Sequence, residues 1–283
     1  MKKALMIMLL GACCQVGFAQ EDSTKTKTTE NDTIRVGSII IIKKGGDQYE
    51  TQKDKPYDYK RKYNKKKSNI STNWLIVDIG YAGFDDKTNY AGAEAQAFLQ
   101  NPNGIPLNSG DFSMKGFRIS NFNLWFFMQK MNVYKHVVNL KYGLGLETNN
   151  YYFKTPISLI DGANPYVIRD NVSFSKNKLA ADYLTVPLML NFNTSPKTRH
   201  GGLQVSVGVS AGVLYSSRQK QESSERGKQK QKTNFNLEPW KIAYIGELGL
   251  GPVKLYGSYA TTPLHKYGVE HHPYTVGLRL STF

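Results

Sequence analysis

From Trp74 onward, apolar positions alternate with small or polar ones at a period of two, the pattern of strands whose two faces meet different surroundings. Leu75, Val77, Ile79 and Tyr81 alternate with Ile76, Asp78, Gly80 and Ala82. The cleanest stretch sets Val138, Leu140, Tyr142, Leu144 and Leu146 against Asn139, Lys141, Gly143, Gly145 and Glu147. Leu184, Val186, Leu188, Leu190 and Phe192 form another apolar face, and Leu203, Val205, Val207, Val209, Ala211, Val213 and Tyr215 the next. Near the end, Tyr274, Val276, Leu278 and Leu280 alternate with Thr275, Gly277, Arg279 and Ser281. Phe122, Leu124, Phe126 and Met128 give a noisier strand, because Trp125 and Phe127 are apolar on the opposite face. The segments Trp240–Gly249 and Val253–Ala260 align through a two-residue turn at Leu250-Gly251, which sets Glu247 opposite Lys254.

These segments make eight strands, and the links between them alternate in length. Short links follow Gln129, Asn193 and Leu250; long ones run over about 84–114, 148–180, 216–237 and 261–273. Short turns opposite long loops mark a transmembrane barrel of the outer-membrane type, and an even strand count puts both termini in the periplasm. A soluble sandwich also alternates, but its core cannot hold Asp78, Lys141, Glu147, Glu247, Lys254 and Arg279 on the inner face. The pattern therefore predicts an all-β, eight-stranded antiparallel transmembrane barrel over residues 74–283, with those six charges as a lumenal network. Tyr81, Tyr183, Tyr215, Trp240, Tyr259 and Tyr274, with Phe84, are assigned to an aromatic girdle at the outer interface. Pro187 cannot donate to a ladder, so a bulge or missing bond is expected there, facing the lumen.

The first 73 residues differ. Lys2 and Lys3, an apolar run from Ala4 to Ala12 and the small residues of Gly17-Phe18-Ala19 predict a signal peptide over 1–19. Leu10-Gly11-Ala12-Cys13 resembles a lipobox, the alternative in which Cys13 carries lipid. Residues 20–73 read as a basic periplasmic segment, largely disordered, with one short strand around Ile39–Ile42. Cys13 and Cys14 both fall in the leader, which excludes disulfides and thiol chemistry from the barrel. A net charge of +15 favours anionic partners: lipopolysaccharide and membrane lipid rather than nucleic acid, since the chain is exported.

Tyr142-Gly143-Leu144-Gly145-Leu146-Glu147-Thr148-Asn149-Asn150-Tyr151, the stretch Lys178–Phe192 around Tyr183-Leu184-Thr185-Val186-Pro187-Leu188, Phe235-Asn236-Leu237-Glu238-Pro239, and Pro273-Tyr274-Thr275-Val276-Gly277-Leu278 carry a resemblance. Over about 74–283 the chain resembles the PorT-like outer-membrane β-barrel proteins of the Bacteroidetes. The resemblance implies fold, compartment and passage through the barrel-assembly machinery. It also implies a role beside protein secretion or other envelope proteins, and it brings no catalytic residue.

Candidate chemistry is sparse. Closure of the barrel brings Asp78 towards Arg279, and a barrel of this size is just wide enough for side chains to fill. His265, Glu270, His271 and His272 match no metal motif and read as exposed loop residues, so neither metal nor cofactor is expected. No Ser–His pair is indicated on the outer side, and the reading is of a non-enzymatic protein. A lipid A-modifying enzyme and a narrow solute or ion channel are the alternatives. Arg218, Lys220, Arg226, Lys228, Lys230 and Lys232 in the third long loop are candidate contacts for lipopolysaccharide phosphates or other anions.

Overall fold

The structure, a computed structural model, describes residues 33–36, 39–44, 48–53, 68–100, 106–196 and 202–281. The chain forms two compact units that divide at Lys66 and Lys67. In the first, β1 (Thr33–Val36), β2 (Ile39–Lys44) and β3 (Gln48–Lys53) form an antiparallel sheet in that order. The sequence pattern supports only the middle strand, because the apolar run of β2 is what stands out from polar flanks. The expected signal peptide over 1–19, with Cys13, and the basic tract from Tyr59 to Lys67 lie outside the described residues.

In the second unit β4 (Ile70–Asp86) leads to a short helix, α1 (Ala93–Phe98), and a 3-10 turn at Ser109–Phe112. Then come β5 (Asn121–Tyr134), β6 (Val138–Tyr152), the small hairpin β7 (Ile157–Ile160) and β8 (Tyr166–Arg169), and β9 (Lys176–Asn193). The chain ends through β10 (Leu203–Ser223), β11 (Gly227–Gln231), β12 (Trp240–Leu250), β13 (Val253–Ala260) and β14 (His271–Leu280). Every neighbouring pair is antiparallel, and β14 pairs with β4 from His271↔Asp86 to Leu280↔Val77. That last ladder closes a ring of eight strands: β4, β5, β6, β9, β10, β12, β13 and β14. The first strand starts at Ile70, four residues before Trp74, and the first short turn comes after Tyr134 rather than Gln129.

Two bulges explain where the alternation looks noisy. The β5–β6 ladder slips between Trp125 and Phe127, so Phe126 is the extra residue. Phe122 and Leu124 point outward before it; after it Phe127 does, and Met128 turns inward beside Trp125. Strict alternation places Met128 on the outward face, and this one-residue change of phase turns it inward. A second slip, between Leu214 and Ser216, does the same to β10 at Tyr215. Pro187 faces the lumen. The β6–β9 ladder runs to Tyr142↔Leu188 and resumes at Gly145↔Thr185, leaving a gap opposite the proline.

The strands are longer than a membrane needs: β9 has 18 residues and β10 has 21, against about 10 for a tilted transmembrane strand. Their halves on the side of the long connections, with β11 paired to β10, stand clear of the apolar belt. There the long connections fold inward and build a water-soluble style of core. Phe98, Leu107, Phe112, Ile157, Leu159, Val167, Leu237, Leu264 and Val269 pack on the strand residues Tyr151, Leu179 and Tyr183. This cap fills the mouth of the ring on the side of the long connections.

Candidate functional site

The interior has two layers, and the lower one is charged. Arg279 lies directly opposite Asp78 across the closing seam. Its Nε and Nη2 donate to the two Asp78 oxygens at 2.6 Å each, while Trp125 Nε1 at 2.6 Å and Asn123 Nδ2 at 3.1 Å donate to Oδ2. Arg279 also donates to Glu247, which accepts a further bond from Lys141. A second pair, Lys241 with Glu147, sits beside it, the Lys241 ammonium 4.9 Å from the ring centre of Tyr183. Lys254 is buried near Gln204, its Nζ 3.5 Å from Oε1. Burying any of these charges alone costs several kcal/mol, and only a network satisfies them together (order of magnitude).

The hairpin register differs from the expected one. The turn is Gly251-Pro252 with Leu250↔Val253 as the last pair, so Glu247 faces Tyr256 and Lys254 faces Gly249. Gly251 takes φ 71° at the first turn position, which suits glycine, and the fixed φ of Pro252 suits the second. Lys241 is the network member that the alternation did not single out, although it shares the inward phase of Ala243 and Glu247.

Within the charged layer little space is left. Asn123, Trp125, Pro187, Met189, Glu247 and Arg279 are among the residues lining a cavity of about 20 Å³, enough for roughly one water. Above it His265 of the last loop, with His271 and His272 at the start of β14, is buried, not exposed: His265 is 3% and His271 1% accessible, and His272 is also buried. His271 stacks on Phe84 at 4.3 Å between ring centres, meets Phe112 edge-on, and has Nε2 3.6 Å from Asp86 Oδ1. His272 lies between the carbonyl of Ala260 and the Glu270 carboxylate. His265 and His271 lie beyond the outer aromatic row, and burial drives their imidazole pKa values down to about 3 and about 4. His265 is buried by loop folding, which has no periodic signature, and His271 and His272 by a β14 that begins three residues before the alternation marks it at Tyr274. No group of three metal-ligating side chains occurs among the described residues.

The outward face is apolar over its middle. Val186, Leu188, Leu190, Val207, Val209, Ile242, Leu248, Leu255, Leu278 and Leu280 are all exposed there. At the outer edge Tyr81, Tyr215, Trp240, Tyr259 and Tyr274 point outward, joined by Tyr244 in one cross-strand row with Tyr259 and Tyr274. Phe117, from the first long loop, stacks on Tyr81 at 5.3 Å. Tyr183 does not belong to this girdle. It is 1% accessible and inward, because Leu184 beside it takes the outward position; Phe84 is inward for the same reason of phase. Trp74 is exposed near the opposite end, where β4 begins.

The family model described as outer membrane protein beta-barrel domain matches residues 91–266. The chain belongs to that outer-membrane barrel family. A solved structure similar to it is Ail, the attachment invasion locus protein of Yersinia pestis, crystallised with the heparin analogue sucrose octasulfate. The two are 12% identical, the match covers 75% of this chain and 98% of the other, and the TM-score is 0.26. No curated protein matches the chain. The apolar belt of this outer-membrane barrel is thus its lipid face, and the aromatic row marks one headgroup interface.

The basic residues assigned to the third long loop divide into two groups. That loop is a hairpin, β10 running on into β11. Arg218 pairs with Asp182 and Arg226 holds both oxygens of Asp170, at 2.7 and 3.0 Å. Lys228, Lys230 and Lys232 are exposed, and Lys220 is 3.2 Å from Glu222. Lys230 lies opposite Lys220, and Lys220 in turn opposite Lys178 of β9.

Proposed function

We propose that this outer-membrane barrel is a non-enzymatic structural or interaction component of the envelope, accessory to protein secretion, with both termini in the periplasm. The observation that carries the reading is the filled interior: an ion-pair layer below and a folded cap above leave the outer surface and the N-terminal segment to make contacts. The PorT-like pattern around Tyr183-Leu184-Thr185-Val186-Pro187-Leu188 favours the secretion side of the envelope. An N-terminal leader over 1–19 would bring the chain there. An enzyme on lipid A needs an accessible acid–base pair, whereas His265 and His271 are walled in by Phe84, Phe98 and Phe112.

The test is affinity purification of the tagged chain from cross-linked outer membranes. Stoichiometric recovery of secretion or envelope proteins is the expected result, and recovery of assembly factors alone would overturn it. Lipid A mass profiles from a deletion strain should match the parent; an altered acylation or phosphate pattern would revive the enzyme.

A further inference from the structure

Outside the lipid belt, the lateral face of the barrel carries a row of cations set by strand register. Tyr152 of β6, Lys178 of β9, Lys220 of β10 and Lys230 of β11 lie side by side across four strands. The next row outward is Lys176, Glu222 and Lys228. Lys178 and Lys220 occupy outward positions, since Asn177 and Leu179 on one side and Gln219 on the other are buried. Arg118 joins them from the first long loop, its guanidinium 4.1 Å from the ring centre of Tyr152. Lys178 is 5.4 Å from the same ring and donates to Asn150 Oδ1 at 2.7 Å.

Glu222 partly offsets the group, lying 3.7 Å from Lys176 and 3.2 Å from Lys220. Among the described residues no ion pair involves Lys178, Lys228, Lys230 or Arg118. Partial burial and the neighbouring charges of Arg218, Lys176 and Lys220 pull the Lys178 pKa down, outweighing the opposite pull of Asp182.

The position selects the partner. Lys220 lies five residues beyond Tyr215, an axial rise of roughly 12 Å for a strand tilted by about 40°. That is the depth of the phosphates and acidic sugars of an outer-leaflet glycolipid, just above its acyl chains. The patch also runs into the apolar surface below it: Phe117 and Ile119, which flank Arg118, are exposed, and Phe117 stacks on the girdle residue Tyr81. A soluble polyanion needs no apolar border; an amphiphile does.

We propose that Arg118, Lys176, Lys178, Lys220, Lys228 and Lys230, bordered by Phe117 and Tyr152, form a binding site for the phosphorylated headgroup of one lipopolysaccharide molecule in the outer leaflet. The guanidinium supplies a fork and the ammonium groups supply point charges to phosphate oxygens. Arg226 and Arg218, held by their aspartates, shape the hairpin and do not contact the lipid. This site rests on the proposed orientation with both termini in the periplasm but is independent of the secretion role, and either reading can fail alone.

The experiment uses the full-length barrel in lauryldimethylamine oxide micelles, folding checked by heat-modifiable electrophoretic mobility, and bisphosphorylated rough lipopolysaccharide as probe. Combined Lys178→Ala, Lys220→Ala and Lys230→Ala substitutions should weaken binding at least tenfold, while Lys87→Ala, Lys135→Ala and Lys266→Ala together, removing the same charge elsewhere, should change it less than twofold. Enzymatically dephosphorylated lipopolysaccharide should bind the unaltered barrel at least tenfold more weakly. Equal loss in both triple variants would reduce the site to net charge and overturn it, as would undiminished binding of the dephosphorylated probe. Competition by millimolar inorganic phosphate, or equal binding to phosphatidylglycerol nanodiscs, would also count against a glycolipid site. Should the alanine variant not fold, glutamine at the same three positions gives the same comparison.

Discussion

Removing Arg279 would leave two carboxylates, Asp78 and Glu247, facing each other inside the barrel without their shared cation. Arg279→Met is expected to cost about 3–5 kcal/mol, read as a lower urea midpoint in lipid vesicles. Asp78→Leu with Arg279→Met should recover part of that loss, because no charge on this seam then lacks its partner. An Arg279→Met midpoint equal to that of the parent would refute the network. The Asp78–Arg279 contact was legible because antiparallel closure must bring the first and last strands together. Lys241 was not, since Trp240 and Ile242 on either side drew that segment into the aromatic and apolar count. The histidines give a pH prediction. His265 stays neutral in the folded cap, with its pKa pushed down to about 3 from the usual value near 6.5. Below about pH 6.5 the unfolded chain therefore binds the proton first, and cap stability falls with pH until about 3. His265→Phe should flatten that acid limb in hydrogen exchange of the cap amides; an unchanged slope would place the titration elsewhere.

At the level of strands, the seam between β14 and β4 depends on two glycines. Gly80 and Gly277 face each other, and the Tyr256 ring lies over them, with its hydroxyl bonded to Asn121. A Cβ on Gly277 would stand 2.4 Å from the Ile79 carbonyl and 2.8 Å from the Tyr256 ring, so Gly277→Ala forces the backbone or ring to shift. Overpacking of this kind costs about 1–3 kcal/mol, and the folded fraction after refolding into vesicles should drop accordingly. Gly257→Ala, with nothing nearer than 3.6 Å, is the matched control and should refold normally. Alternation located all eight barrel strands because each separates lipid from lumen along most of its length. It misplaced side chains wherever the count slipped: after the Phe126 bulge Met128 turned inward, and Tyr183 and Phe84 were assigned by height rather than by phase. A bulge adds one residue and leaves no compositional trace, so only the partner strand reveals it.

The barrel unit has a filled interior, an ion-pair layer with a folded cap above it. In planar bilayers it should give no conductance steps, and well-defined channels would contradict the filled interior. The barrel was legible in the sequence and its cap was not, since the cap draws Phe98, Phe112, Ile157, Leu237 and Leu264 from separate loops in which no period survives. Water-soluble packing on top of a membrane fold has a consequence for biogenesis. Phe84 arrives with the first barrel strand and His271 with the last, yet they stack on each other inside the cap. The cap is therefore complete only when the ring is shut. Its compactness acts as a receipt for insertion: a protease added to permeabilised cells should cut the loops of unfinished barrels and spare the finished ones.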